Sequence, residues 1–506
     1  MLKEAKKSSQ RTVVLLGIIF LLSGLVIRLI FLEAPLQSDD AAYLSIANRY
    51  SPALLDVAGN QLPFRTGMIL PLILLQKLFG YSIVTYYTFS IFFYMLMLLS
   101  IYLVAVMVSG LTTGIIAISI AASSALILNQ TSNVLPDVPN LAFMFGAFAL
   151  FMLLRGRDAR IVPVLIAASA MVGFIAYLFR MPNIVFLACI PLYELLQYRS
   201  IRRSLLFALF FMIFVALEML YYWIMTDEPL QRFAMVPRGA SSWAVYQPEI
   251  ASTDYLLKPI ANFTQWSTGW FLLFGGAIGF ITALFKRNWA LVALILGATL
   301  VFILYSYSAT SIEPIKRALP LKTRYVLAFS VVMSMSTGYA VTLISKQTRR
   351  ISAATESHSF LTGALILVSI LCAQLAELPQ STSSILSGKD SYFIADRLLR
   401  DKIQDISTTD PVYADRAWGY KLYPHFGKLN LKNLDITTPP TNGQTILFSK
   451  RSMQMNRAYA IKRGDTKSVD SINNYLQGVN PHWKILLDAG DIVLIKVSIP
   501  ELESRN

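Results

Sequence analysis

The sequence predicts a polytopic α-helical membrane protein that ends in a small α/β domain. Runs of about 20 apolar residues, long enough to cross a hydrocarbon layer of roughly 30 Å, recur from Thr12 to about Leu378. Only 14% of the 506 residues are charged and 55% are hydrophobic, where a soluble domain is roughly a quarter charged. Mean hydropathy is +0.55. Past Leu378 the apolar runs stop and the composition becomes that of a soluble domain. The chain therefore divides into a transmembrane module, 1–385, and a soluble domain, 386–506.

The runs give about eleven spans by length: 12–32, 82–108, 112–130, 138–155, 161–180, 182–198, 204–226, 268–287, 289–308, 324–345 and 359–378. The first begins after a basic segment, MLKEAKKSSQR, like the start of a signal peptide. Its apolar run continues to Leu32 without a small-residue cleavage site, which reads as a retained span. Basic residues then mark alternate connections: Arg155, Arg157 and Arg160; Arg199, Arg202 and Arg203; Lys286 and Arg287; Lys346, Arg349 and Arg350. Cytoplasmic loops collect Lys and Arg, so these connections and the N-terminus (Lys3, Lys6, Lys7, Arg11) belong to the inner side. An odd number of spans then places the C-terminal domain outside, with the longer loops 33–81, 227–267 and 309–323. The expected location is a plasma (inner) membrane.

The C-terminal part reads as strands at Pro411–Ala414 and Thr445–Phe448, and helices at Asp390–Gln404 and Val469–Val479. A hairpin pairs Trp483–Leu487 with Ile492–Val497 around Asp488-Ala-Gly-Asp491.

Composition also excludes some functions. The formal charge of +15, from 44 Lys and Arg against 29 Asp and Glu, falls largely beside spans, where topology and anionic membrane lipids account for it. No basic face interleaves with stacking aromatics in the soluble part, so nucleic acid is not an expected partner. Cys189 and Cys372 lie inside apolar runs, which rules out a disulfide scaffold. His358, His425 and His482 are scattered outside the spans and do not form a metal-ligating group.

The outer loops carry the candidate chemistry. After the first span, Gln37-Ser-Asp-Asp-Ala-Ala-Tyr-Leu-Ser-Ile-Ala-Asn-Arg-Tyr50 places Tyr43, Ile46, Ala47 and Tyr50 on one helical face. This reads as an amphipathic helix at the membrane surface. Ser38 is a candidate N-cap, which puts Asp39 and Asp40 in the first turn. Acids there satisfy the helix dipole, and two carboxylates at the hydrocarbon edge also suit a general base with a metal- or substrate-orienting partner. Asp137, in Asn133-Val-Leu-Pro-Asp-Val-Pro-Asn140, falls on the same membrane face. It too reads either as a first-turn acid or as a functional group at the bilayer boundary.

The last long outer connection holds Lys316, Arg317, Lys322 and Arg324, cations on the side where few are expected. Either the chain threads differently there, or an anionic partner such as a phosphate explains them, with Arg65 and Arg180 on the same face as further contributors. Trp243, Tyr246 and Trp266 belong either to an interfacial aromatic belt or to a sugar-stacking surface.

These loops resemble a known family. Asp39-Asp40 with its Ala-Tyr-Leu-Ser-Ile-Ala continuation, then Phe64-Arg-Thr-Gly-Met-Ile-Leu-Pro71 and Lys77-Leu-Phe-Gly80, resemble the first outer loop of the GT-C membrane glycosyltransferases. The branch they resemble contains the protein O-mannosyltransferases and the aminoarabinose transferases of lipid A. Leu135-Pro-Asp-Val-Pro139 is similar to that family's second acidic loop, and Arg324-Tyr-Val-Leu to the motif opening a late span.

The resemblance covers most of 1–345 as a pattern. It implies a hexosyl- or pentosyltransferase that takes a sugar from a polyprenyl-phosphate donor, with inversion, on the extracytoplasmic side. The acceptor would be a lipid, a glycan or a protein. By the same resemblance Asp39 would be the general base, Asp40 would stand where many members have Glu, and Asp137 would be the second acid. Arg324, Lys322 and Arg317 would hold the donor phosphate, with Tyr325 beside them. Asp40 and Asp137 are the candidates for a divalent cation (Mg or Mn), whose requirement stays open.

A transporter or flippase is the main alternative, followed by a non-catalytic factor in envelope polysaccharide assembly. Transport favours ionisable groups at mid-membrane, whereas Arg28, Glu194 and Glu218 lie towards span ends.

Overall fold

The computed structural model describes residues 2–31, 39–51, 55, 62–131, 133–235, 250–264, 267–312, 315–317, 323–351, 368–372, 374, 411–414, 431–434, 441–463, 465–477, 483–489 and 492–497. Side chains 2–14, 310–312, 315–317, 323–324 and 348–351 are outside this description, as are a few others.

The N-terminal part is a helix bundle. Helix α1 (Leu2–Ile30) leads to the short α2 (Asp39–Asn48) and α3 (Thr66–Phe79), then to the long α4 (Ile83–Ser109). Ser82 caps α4, its hydroxyl accepting from Thr85 N at 3.4 Å. Gly110, at φ +95°, turns the chain directly into α5 (Leu111–Ser123), a backbone angle that favours glycine. Helix α6 (Ala125–Thr131) follows after a 68° bend.

Helix α7 (Asp137–Met152) packs on α8 (Val162–Phe179), with Ser169 Oγ donating to Ala147 O at 2.7 Å. A 3-10 segment, Met181–Ala188, precedes α9 (Cys189–Tyr198) and α10 (Arg202–Thr226). The N-terminal amides of α10 are satisfied by Glu194, which accepts from Arg203 N at 2.9 Å and Ser204 N at 2.6 Å. Then come α11 (Ser252–Thr264), α12 (Ser267–Phe285), α13 (Trp289–Tyr307), the hairpin β1 (Ala309–Ile312) and β2 (Ile315–Arg317), and α14 (Leu327–Ile351).

Among the described residues, five of these helices are long and apolar enough to cross a membrane, or up to seven if each bent pair counts as one span. That number does not confirm the eleven-span reading, and part of the difference has visible causes. The run at 112–130 is broken by the bend between α5 and α6. That at 138–155 holds a helix of only 16 residues, and that at 182–198 opens with the 3-10 segment. Most of 359–378 lies outside the described residues. The window from α14 is 83% buried and that from α10 only 28%, so α14 runs through the centre and α10 forms the rim. Leu205, Leu209, Met212, Leu217 and Trp223 of α10 are exposed, an apolar face suited to hydrocarbon.

Helix α2 departs from the surface-lying reading. Tyr43, Leu44 and Ala47 are all buried in the main core, and Gln76 Nε2 of α3 donates to Leu44 O at 2.9 Å. The helix is packed into the bundle rather than resting on lipid. Ser38, its expected cap, lies outside the described residues.

Towards the C-terminus, five strands form one sheet in the order β4-β3-β5-β7-β6. They are β3 (Val412–Ala414), β4 (Leu431–Asn433), β5 (Thr445–Ser449), β6 (Trp483–Ala489) and β7 (Ile492–Val497). Strand β3 runs parallel to β4 and β5, while β7 is antiparallel to β5 and β6. Helices α15 (Lys450–Arg463) and α16 (Thr466–Gln477) close the core, with Met453, Ile472 and Tyr475 against Ile446, Phe448 and Val493. The 483–497 hairpin and the strands at 412 and 445 are where the sequence puts them. Strand β4 and helix α15 are additions, and the expected helix 390–404 lies outside the described residues.

Candidate active site

The site forms where α8 ends. Met181 and Pro182 follow Arg180, and proline cannot donate the amide that continues the helix. The backbone becomes extended at Arg180 (φ −154°, ψ 97°) and resumes as the 3-10 segment. This break turns the Arg180 side chain towards the start of α7, where it forms an ion pair with Asp137 through Nη1. Arg180 Nε donates to Tyr305 Oη at 2.8 Å. The rings of Tyr305 and Tyr325 stack at 4.7 Å, and Arg180 Cζ lies 4.9 Å from each centroid, within cation–π reach.

Asp137 and Arg180 are 4% and 6% exposed, so each charge depends on the other. Asp137 Oδ2 and Asn183 Oδ1 have no hydrogen-bond partner. Both residues line a small cleft, about 10 Å³ in volume, with Leu141, Val301, Tyr305 and Tyr325. Buried acceptors without donors are rare, and these two suit hydroxyl or ammonium groups of a ligand. Asn140 organises the floor: its Nδ2 donates to Ala176 O at 2.7 Å and its Oδ1 accepts from Asn183 Nδ2 at 2.7 Å.

The two adjacent acids of α2 have different surroundings. Asp40 is fully buried, and its Oδ2 accepts from Tyr86 Oη at 2.9 Å. That phenol also sits 3.2 Å from Asn133 Oδ1, which links α2 to the segment leading into Asp137. Asp39 is partly exposed in the first turn. Arg65 hydrogen-bonds Tyr43 Oη, its Cζ 5.8 Å from that ring. These contacts tie Arg65 to α2 rather than to Arg180.

Gly67 joins the two regions, since an added Cβ there would meet Phe179 N at 2.7 Å and Leu178 C at 2.8 Å. Gly67→Ala is expected to cost about 1–3 kcal/mol, as overpacking does, and to disturb the helix end before Arg180. Thermal unfolding in detergent measures this, and an unchanged Tm would mean that the approach has slack.

Of the sequence-predicted residues, Asp137, Arg180 and Tyr325 converge. Asp39 and Asp40 share α2. Lys322 lies outside the described residues, as do the side chains of Lys316, Arg317 and Arg324. Their backbones place the first two in β2 and Arg324 in the turn Thr323–Val326. Trp243, Tyr246 and Trp266 are likewise outside. Sequence reasoning missed Tyr86, Asn183 and Tyr305, and gave no role to Asn133 and Asn140 in the Asp137 loop, because a polar residue carries no mark of the partner it meets. Among the described residues no group of three or more His, Cys, Asp or Glu converges.

The bundle has the GT-C fold. The sequence matches no protein-family model and no curated protein, but solved structures match throughout. ArnT from Cupriavidus metallidurans bound to undecaprenyl phosphate superposes with a TM-score of 0.60 at 10% identity, covering 95% of this chain and 97% of that one. Its apo form gives 0.58 at 10% identity, with 97% and 98% covered. The Archaeoglobus fulgidus oligosaccharyltransferase in its apo form gives 0.56 at 10% identity, with 91% and 72% covered. At such identities the likeness is one of fold.

Proposed function

We propose that this chain is a membrane glycosyltransferase that moves a sugar from a polyprenyl-phosphate donor to a lipid, glycan or protein acceptor on the extracytoplasmic side. The observation that carries the reading is the caged guanidinium of Arg180. It is a permanent cation beside two unpartnered acceptors, in a chain that shares its fold along almost its whole length with a structure holding undecaprenyl phosphate.

The chemistry follows from these parts. Asp39 takes the proton of an acceptor hydroxyl as its oxygen attacks the anomeric carbon. The bond from that carbon to the phosphate oxygen breaks on the opposite face, which gives inversion. The polyprenyl phosphate leaves as an anion and needs a cation more than an acid. Arg180 uses Nη1 and Nε in the contacts above, which leaves Nη2 for a phosphate oxygen. Arg324, Lys322 and Arg317 supplement it, and Asp137 and Asn183 accept from sugar hydroxyls.

The test is transfer by the purified full-length chain, offered a panel of polyprenyl-phosphate sugars, with mass analysis of the products. Release of polyprenyl phosphate with a glycosylated product is expected from at least one donor. A folded protein that releases none from the whole panel would sink the reading.

Asp40 and Asp137 are the carboxylates that a divalent cation would use. Asp40 is engaged by Tyr86 and Asp137 by Arg180, so transfer is expected to survive EDTA. Loss on chelation, restored by Mn or Mg, would instead place a metal between the acids.

A further inference from the structure

We propose that Arg232, held by Glu218, is a positioning residue that fixes Arg180 by bracing the end of α8. Neither residue touches the cleft around Asp137. The last carbonyls of any helix lack intrahelical donors, and here Pro182 removes the amide that would have reached Leu178 O. Arg232 supplies the replacement from another part of the chain. Its Nη2 donates to Tyr177 O at 2.8 Å and to Leu178 O at 3.2 Å. Its Cζ lies 4.5 Å from the Tyr177 ring centroid, and Nη1 is paired with Glu218 of α10. Both members are buried, at 3% and 7% exposure.

A buried ion pair is weak evidence for stability, because desolvation offsets much of its attraction. What the pair does supply is direction. A planar guanidinium fastened on one side can hold two carbonyls in a fixed orientation. Those carbonyls lie two and three residues before Arg180. The same helix end is also held by Asn140, through Ala176 O, and by the close approach of Gly67. The neighbourhood of Arg232 also reaches the first outer loop, since Gln231 Nε2 donates to Leu55 O at 3.3 Å and Tyr222 Oη to Phe64 O at 3.1 Å. The brace thus sets where Arg180 leaves the helix, and so where its free nitrogen points.

The functional half of this inference rests on the donor reading above, so the test has two arms on the full-length protein. Hydrogen exchange of the segment around 176–183 is compared in wild type, Arg232→Lys and Glu218→Gln/Arg232→Met. The double variant removes both charges and leaves no lone buried ion. Exchange is expected to accelerate tenfold or more in the double variant, with Lys intermediate because it can serve one carbonyl as a point charge. Unchanged exchange would overturn the brace.

Binding of undecaprenyl phosphate is measured alongside, with undecaprenol as the uncharged control. Affinity is expected to fall on the order of 10–100-fold, the scale of a small misplacement, and to fall no further when the double variant is built on Asp137→Asn/Arg180→Met. Losses that add in full would show that Arg232 does not act through Arg180. A wild type that does not distinguish undecaprenyl phosphate from undecaprenol would sink the donor reading, and exchange would still decide the brace.

Discussion

Asp39→Asn is expected to lower turnover by about 10²–10⁴-fold, the usual contribution of a general base, while binding of undecaprenyl phosphate stays within about twofold of wild type. The amide has the size of the carboxylate, so packing is preserved and only basicity is lost. Asp39 is chosen over Asp40 because of their surroundings. Asp40 is fully buried and hydrogen-bonded by Tyr86, which marks an anchor between α2 and the Asn133 segment. Asp39 is partly exposed in the first turn of α2. Single-turnover release of polyprenyl phosphate, read beside equilibrium binding, separates chemistry from affinity. Turnover in Asp39→Asn within tenfold of wild type would assign the base elsewhere, with Asp40 next in line.

That choice shows what the sequence could and could not supply. Adjacent acids at a helix start are visible in a string of letters, and so are the long apolar runs, the late hairpin and the strands at 412 and 445. Which of two neighbouring carboxylates is sealed in depends on Tyr86, some 46 residues away, and no local pattern announces it. Helix α2 makes the same point. The face formed by Tyr43, Ile46, Ala47 and Tyr50 reads as one apolar stripe on a surface helix, yet Leu44, off that stripe, is also buried. Its burial comes from α3, which a periodicity argument does not see.

The break at Arg180 was half legible. Pro182 forbids a regular helix through 182, but the run 182–198 has enough apolar residues to look like a full span. Arg180 and Asp137 were both visible as candidates, whereas their pairing is a tertiary fact. The same holds for Glu218 and Arg232. A charge at a span end looks alike whether it meets water or a buried partner.

Arg180→Met carries the second large effect, and it acts on stability and binding together. Removing the guanidinium leaves Asp137 at 4% exposure without its partner, and an uncompensated buried charge costs about 3–5 kcal/mol. Tyr305 loses the donor to its hydroxyl, and the stacked tyrosines lose their cation. The single variant is therefore expected to unfold at a markedly lower temperature in detergent. Asp137→Asn/Arg180→Met removes both charges and is expected to recover most of that loss, since an ion pair replaced as a whole is often nearly neutral.

Binding of undecaprenyl phosphate should follow a different order. It is expected to stay weak in both variants, because the cation is absent from each, while Asp137→Asn alone retains it. That split is the decisive feature. Stability that returns without affinity identifies Arg180 as a ligand group as well as a structural one. If affinity returned with stability in the double variant, the phosphate would have to be held by other cations, Arg324 and its neighbours first, and Arg180 would be the counter-charge that keeps Asp137 ionised inside the bundle.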